Sequence, residues 1–493
     1  MRFFLLVATL ILLVQGTAAR AAEVVVPPEA LAPVRELVVQ AVEQHIAPAV
    51  AVAVIQEGAV VWLEAFGEAD VAGKVGATVD TPFPLASCTK ALTAVAFLEL
   101  RERGLVDLDK PVNAYLGEGT VRAAAGKADE ITPRRLLNHT AGFARYMSYY
   151  YAPVPPAATG DVLARYGQAV LAPGAALEYS NLGYVAAGAV MQKAADAPWG
   201  KFLETNLFTA LGMTHSGASA APAGAATLYA RDAAERLQPV PPAATDHPAG
   251  SDAWASIGDA AQFLRMVLGY GKVGDQVVLK EESVAEMLRA PKEIPEAGLG
   301  WYLGDFHAQK SFSHAGSMPG AMAELRGFPQ QKSGVVVLTN ADGHTLTGEI
   351  AWAVAAALYP DAEEKEPEPR EAPVTDLEAF VGEWSATLAH FSGAVGLTLH
   401  IEDEDTAYLR FDEGPMRRLQ GFGLLGEQVS GQLTAAFPSR DDWHAPVKIA
   451  LALRKSGKRL TGTFSTVSDG LFVLPTYVSF AAVEAAAAAG ETP

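Results

Sequence analysis

The stretch Pro82 to Leu92 reads PFPLASCTKAL and sets Ser87 three residues ahead of Lys90, at the head of a long apolar run. On a helix, residues three apart share a face, so this spacing brings an amine beside a hydroxyl. A serine hydroxyl is a poor nucleophile until a neighbour takes its proton, and a lysine in apolar surroundings has its charged form disfavoured and becomes a base. A helix N-terminus adds backbone N–H groups and a positive dipole suited to a developing oxyanion. By itself the pair also suits an N-terminal cap followed by a lysine that snorkels to solvent. Cys88, the single cysteine, points about 100° away from Ser87 on such a helix, which predicts a small buried filler and not thiol catalysis.

The segments around and after this stretch decide between the two readings. GLVDLDKPVNAYL, ITPRRLLNHTAGF, PGAALEYSNLGYVAAGAVM, LFTALGMTHS and SHAGSMPG follow PFPLASCTKALTAVAFLEL in order. This ordered set resembles the serine β-lactamase and penicillin-binding-protein superfamily, specifically the class C-like branch that also holds esterases and D-amino-acid peptidases. The resemblance runs from roughly residue 30 to residue 358. It implies that Ser87 is the acylated nucleophile and Lys90 its proton-relay partner.

The same resemblance matches a Y-x-N element to Tyr179-Ser180-Asn181. In extended chain both side chains face one way, toward the pocket. A phenol beside cationic groups loses its proton more readily, so Tyr179 is expected as base toward Ser87 and then as acid toward the leaving group. Asn181 is expected to hold Lys90 and a substrate amide. Where many relatives carry Lys-Thr-Gly, this chain has His314-Ala315-Gly316. A histidine is only partly charged near neutral pH and Ala315 offers no hydroxyl, so the grip on a substrate carboxylate is weakened. Gly316 is expected to let substrate backbone approach an edge strand, where a nearby backbone N–H completes the oxyanion hole; which residue supplies it stays open, with Ser317 as a candidate. His139 reads as a loop or capping residue, and Tyr146, Tyr149, Tyr150 and Tyr151 as surface packing of a long loop, with the lining of a substrate entrance as the alternative. The histidines show no H-E-x-x-H or comparable spacing, so neither metal nor cofactor is predicted.

Positioning these residues needs a frame. Val34 to Ile46 has helical periodicity, VAVAVIQEGAVVWLEAFG makes two strands around Glu57-Gly58, and Ser87 to Arg103 is helical with Gly104 as its cap. Strand patterns return at KSFSHAG, MAELRGF and SGVVVLTN, before a closing helix from about Gly343 to Leu358. The expected fold is α+β: an antiparallel sheet flanked by helices, with a large helical insertion. Residues 360–375 are proline-rich and acidic and read as a linker. Residues 376–483 hold short alternating runs that predict an all-β barrel, whose opening LEAFVGEW is similar to lipocalin-like barrels, with Trp384 plugging one end. The division expected is 1–21 signal peptide, 22–359 hydrolase-like domain, 360–375 linker, 376–483 barrel and 484–493 tail.

A chain of 493 residues with net charge −19 lacks the clustered cations of a nucleic-acid partner. Arg2, an apolar run from Phe3 to Val14 and Ala19-Arg20-Ala21 predict an export signal cut after Ala21, hence a periplasmic or secreted protein. No later segment predicts a membrane span. The sequence thus points to an exported serine hydrolase acting on small esters, D-amino-acid peptides or cell-wall peptides. A class C-like β-lactamase is the alternative within the enzymes, and a catalytically silent binding protein the alternative outside them. Oligomeric state stays open.

Overall fold

The strand Ala49–Gln56 reads AVAVAVIQ and is buried on both faces. Val50, Val52 and Val54 point to one layer of helices, and Ala49, Ala51, Ala53 and Ile55 to the other. The alternation of large and small residues lets the second layer approach closely, which a uniform valine strand would not.

This architecture is that of a computed structural model that describes residues 23–218, 220–232, 236–362, 377–390, 393–425, 428–435, 447–456, 458–468 and 472–483. The predicted signal peptide, the tail and the linker beyond Ala362 lie outside the described residues. In chain order the main elements are α1 (Ala32–Glu43), β1 (Ala49–Gln56), β2 (Ala59–Asp70), β3 (Val75–Gly76), α2 (Thr89–Glu102), β4 (Met147–Tyr150), α3 (Asn181–Ala195), β5 (Ala244–Thr245), α4 (Pro248–Ser251), α5 (Ile257–Leu268), β6 (Tyr302–Phe306), β7 (Gln309–Met318), β8 (Ala321–Phe328), β9 (Ser333–Thr339) and α6 (Leu346–Leu358).

The expected antiparallel sheet is present, in the order β6-β7-β8-β9-β1-β2-β3. The early hairpin joins the late strands through Val50↔Thr339 and Val54↔Val335. Residues Glu57 and Gly58 both take positive φ, as a tight two-residue hairpin turn requires. Helices α1 and α6 cover the valine face, while α2 and α5 belong to the core on the other. Gly104 closes α2 at φ 73°.

Beyond the linker, β10 (Gly382–His390), β11 (Gly393–Ile401), β12 (Ala407–Phe411), β13 (Arg417–Arg418), β14 (Gln420–Leu425), β15 (Gln428–Ala435), β16 (Val447–Ser456), β17 (Arg459–Ser468) and β18 (Phe472–Ala482) form a nearly closed antiparallel barrel. Trp384 sits in its core and donates from Nε1 to the Phe380 carbonyl at 2.8 Å. Strand β18 also pairs with β4 of the first unit, through Phe472↔Ser148 and Val473↔Met147. Among the described residues no helix is long and apolar enough to cross a membrane.

Candidate active site

Ser87 lies on a single 3₁₀ turn, Ala86–Cys88, that leads into α2, one step ahead of the α-helix expected to begin there. Two anchors fix that turn: Leu85 N–H donates to the Ala253 carbonyl at 2.8 Å, and Pro84 and Phe83 pair with Trp254 and Ala255. Ala86 is held at φ 45°, a left-handed conformation that a non-glycine residue adopts at a cost of about 1–3 kcal/mol. Such strain persists only where the surroundings over-determine it, and here it aims the next side chain into the cleft.

Lys90, in the first turn of α2, is fully buried. Its Nζ donates to Asn181 Oδ1 at 2.7 Å and to the Gly250 carbonyl at 2.8 Å, and lies 3.4 Å from Ser87 Oγ. Tyr179 precedes α3 and its hydroxyl is 2.6 Å from Ser87 Oγ. Ser180 is the N-cap, accepting from Gly183 N–H, so Asn181 opens the helix and does not continue an extended strand. Both side chains still reach the cleft, because the extended N-cap turns the chain between them. Ser87, Lys90, Tyr179 and Asn181 therefore meet within hydrogen-bonding distance.

The third element is nearby but differently employed. His314, on β7, is buried with its ring centroid 6.3 Å from that of Tyr179. Its Nδ1 lies 2.8 Å from the Ala315 carbonyl, and its own carbonyl accepts from the Cys88 thiol at 3.0 Å, which leaves Cys88 the buried filler expected. Strand β6 pairs with β7 only as far as Tyr302↔Ser313, so the edge from His314 onward faces the Ser87 turn. A Cβ on Gly316 would stand 2.3 Å from the Leu85 carbonyl oxygen. Gly316 is thus required by the approach of strand to nucleophile turn, a reason the sequence did not show. Ser317 is exposed on the same strand, paired with Met322.

Burial governs the charges here. It pushes Lys90 well below the ordinary lysine range, and it takes His314 down to about 3, helped by the nearby Lys90. His314 is therefore neutral, not partly charged. Tyr179 also departs from expectation: burial raises its phenol above the ordinary tyrosine value despite its bond to Ser87 and the Arg145 charge, so it holds its proton. Neighbouring cations were visible in the sequence, whereas desolvation, which wins, depends on the packed pocket.

Several residues around this set take places that the sequence reading did not assign to them. His139, in the turn expected, is buried under Tyr179 with ring centroids 4.5 Å apart, and its Nδ1 accepts from Ser180 N–H at 3.1 Å, so it braces the phenol. Tyr146 is also buried, bonded to Asp246, which corrects the expectation of loop packing. Arg145 places Cζ 4.9 Å from the Tyr179 ring centroid at the exposed mouth. Glu178 beside it is raised to about 7 by burial, which the Arg145 charge opposes. Among the described residues no three His, Cys, Asp or Glu side chains gather as a metal site.

Comparisons with known proteins bear on the fold and the family. The mouse mitochondrial serine beta-lactamase-like protein LACTB is 38% identical over 100 residues, which are 20% of this chain and 18% of the mouse protein. The match therefore spans less than a fifth of that relative. The octameric penicillin-binding protein homologue from Pyrococcus abyssi superposes with a TM-score of 0.58 at 21% identity, over 91% of this chain and 99% of its own. A D-amino acid amidase from Ochrobactrum anthropi gives 0.55 at 22% identity, over 66% and 97%. At such identities these structures speak for the fold. The model of the Beta-lactamase family matches residues 34–359, which contain the whole sheet and each residue of the cleft, and the chain belongs to that family.

Proposed function

We propose that the chain is an exported serine hydrolase that works through an acyl-enzyme on Ser87, with small esters and amides, including D-residue peptides, as its substrates. The observation that carries this reading is the set of partners around Lys90. A neutral amine has two N–H groups and one lone pair. Two carbonyl oxygens at 2.7 and 2.8 Å take the two N–H groups, so the lone pair is left for the Ser87 hydroxyl at 3.4 Å. Tyr179, protonated, donates to Ser87 Oγ at 2.6 Å. Catalytic hydrogen bonds are commonly long before substrate arrives, so 3.4 Å suits a base at rest.

On substrate binding, Ser87 Oγ attacks the carbonyl carbon and its proton passes to Lys90. Backbone N–H groups of the Ser87 turn and of the β7 edge, Ser317 among them, receive the oxyanion. Tyr179 gives its proton to the departing oxygen or nitrogen and regains one from Lys90, which returns the amine to its neutral form. Water then attacks the acyl carbon, its proton following the same relay to Ser87. Asn181 holds Lys90 throughout. With His314 neutral and Ala315 lacking a hydroxyl, no positive group stands at the third element, so β-lactams are expected as poor substrates or slow inhibitors. The D-amino acid amidase likeness favours amides of D-residues among the candidates.

The test is intact-mass spectrometry of the protein and its Ser87→Ala variant after exposure to p-nitrophenyl acetate, a D-alanyl amide, a cephalosporin and a fluorophosphonate. An adduct or turnover that requires Ser87 is the expected result. Binding of these compounds with no serine-dependent adduct would sink the reading in favour of a silent binding protein.

A further inference from the structure

Six residues around the Lys90 amine close a hydrogen-bonded ring that extends well past the groups of the proposed reaction. Lys90 Nζ donates to Asn181 Oδ1 and to the Gly250 carbonyl. From Asn181 the path continues: its Nδ2 donates to the Tyr146 carbonyl at 2.7 Å, and the Tyr146 hydroxyl donates to Asp246 Oδ2 at 2.6 Å. From Gly250 it runs the other way, its N–H donating to the His247 carbonyl at 2.8 Å, with His247 Nδ1 3.1 Å from Asp246 Oδ1. The two paths meet at the Asp246 carboxylate.

That carboxylate has no contact with Ser87 or Tyr179 in the acylation step, yet its side chain is 0% exposed and that of His247 1%. Burying a carboxylate without partners is costly, so such a group persists only where donors surround it. Asp246 receives them from Tyr146, from His247 and from the Tyr150 hydroxyl at 2.9 Å. The pairing of β4 with β5, Tyr149↔Thr245 and Tyr150↔Ala244, brings the two chain segments together on which Tyr146 and Asp246 stand. Thr245 is itself fixed, its hydroxyl donating to Asp252 Oδ1 at 2.7 Å.

We propose that Asp246 is a positioning residue for Lys90: its carboxylate joins the segment that carries the Gly250 carbonyl to the segment that orients Asn181, and so holds both acceptors of the amine in place. With both acceptors fixed, the amine has one direction left for its lone pair, toward Ser87. The catalytic consequence rests on Lys90 being the base of the proposed reaction, whereas the ring is testable without turnover.

Lysine side-chain NMR on the full chain, with the Lys90 resonance assigned by its loss in Lys90→Met, reads the ring directly; fluorophosphonate labelling reads it through Ser87. Asp246→Ala is expected to move the Lys90 resonance toward that of exposed lysines and to slow labelling about 100-fold, the order of loss for a reacting group misplaced by an ångström. Asp246→Asn, which keeps an acceptor for Tyr146, should recover at least about tenfold of that at similar stability, a rescue that a general loss of packing would not give. Tyr146→Phe breaks the ring one bond away, and the double variant Tyr146→Phe/Asp246→Ala should be no slower than Asp246→Ala alone. A Lys90 resonance unmoved by either Asp246 substitution, or losses that multiply in the double variant, would overturn the proposal. Should Asp246→Ala not fold, Asp246→Asn and Tyr146→Phe carry both readouts. A Lys90 resonance that responds to Asp246 in a protein whose Ser87 is never labelled supports the positioning and removes the hydrolase reading.

Discussion

At the scale of single residues, the site is governed by what burial does to protons. Lys90→Met keeps the volume of the side chain and removes the amine, so fluorophosphonate labelling of Ser87 is expected to fall about 10²–10⁴-fold, the range for loss of a positioned base. The same variant leaves Asn181 Oδ1 and the Gly250 carbonyl without their donor, which costs about 1–3 kcal/mol of stability in a denaturant titration. His314 gives a pH-dependent signature. Its folded form titrates at about 3 against 6.5 in the open chain, so between those values the unfolded state binds a proton that the folded state refuses. Stability from this group is complete above 6.5 and is lost as pH falls toward 3. Glu178, raised to about 7 from 4.5, acts in the opposite sense between those values. Denaturant midpoints measured across this range should therefore decline less steeply toward acid in His314→Gln than in the parent. An unchanged slope would mean that His314 is not held neutral.

At the scale of elements, the nucleophile turn and the edge of β7 act as one piece. Ala86 at positive φ and the absent Cβ of Gly316 are two sides of one contact, since Leu85 and Ala86 are what a side chain at 316 would strike. Gly316→Ala is expected to push the Ser87 turn away from the strand. The overpacking costs about 1–3 kcal/mol, and the displacement lowers the labelling rate about 100-fold. A thermal melt and a labelling time course check the two parts separately. Full labelling with lowered stability would show that the turn moves without losing its aim.

Considered as a whole molecule, the barrel and the first unit are built on separate cores. The barrel core, with Phe380, Trp384, Leu399, Ile449 and Phe480, is separate from the cores on the two faces of the large sheet. Trp384→Ala is expected to destabilise the barrel by about 3–5 kcal/mol and to split calorimetric unfolding into an early barrel transition and a later one near that of the parent. The units touch where β18 pairs with β4, and β4 follows Tyr146 and carries Tyr150, both bonded to Asp246. A labelling rate for Ser87 that drops about 2–30-fold once the barrel has melted would correspond to the 0.5–2 kcal/mol with which packed elements commonly couple. An identical rate with folded and melted barrel would separate the two units functionally.

Sequence by itself determined what is local or periodic. The Ser87–Lys90 face follows from a spacing of three, the sheet strands from alternation in AVAVAVIQ and SGVVVLTN, the cap of α2 from Gly104, and the barrel from short alternating runs. The ordered motifs also placed Tyr179, Asn181 and His314 in one cleft. Tertiary structure alone decided the rest. Lys90 meets Asn181 across 91 residues and the Gly250 carbonyl across 160, and a backbone carbonyl has no residue type to announce it. Tyr146 and Asp246 meet across 100 residues through a strand pairing only two residues long. The reversal of the Tyr179 and His314 expectations has the same origin: neighbouring charges can be read from a motif, but the loss of water that outweighs them exists only once the pocket has closed.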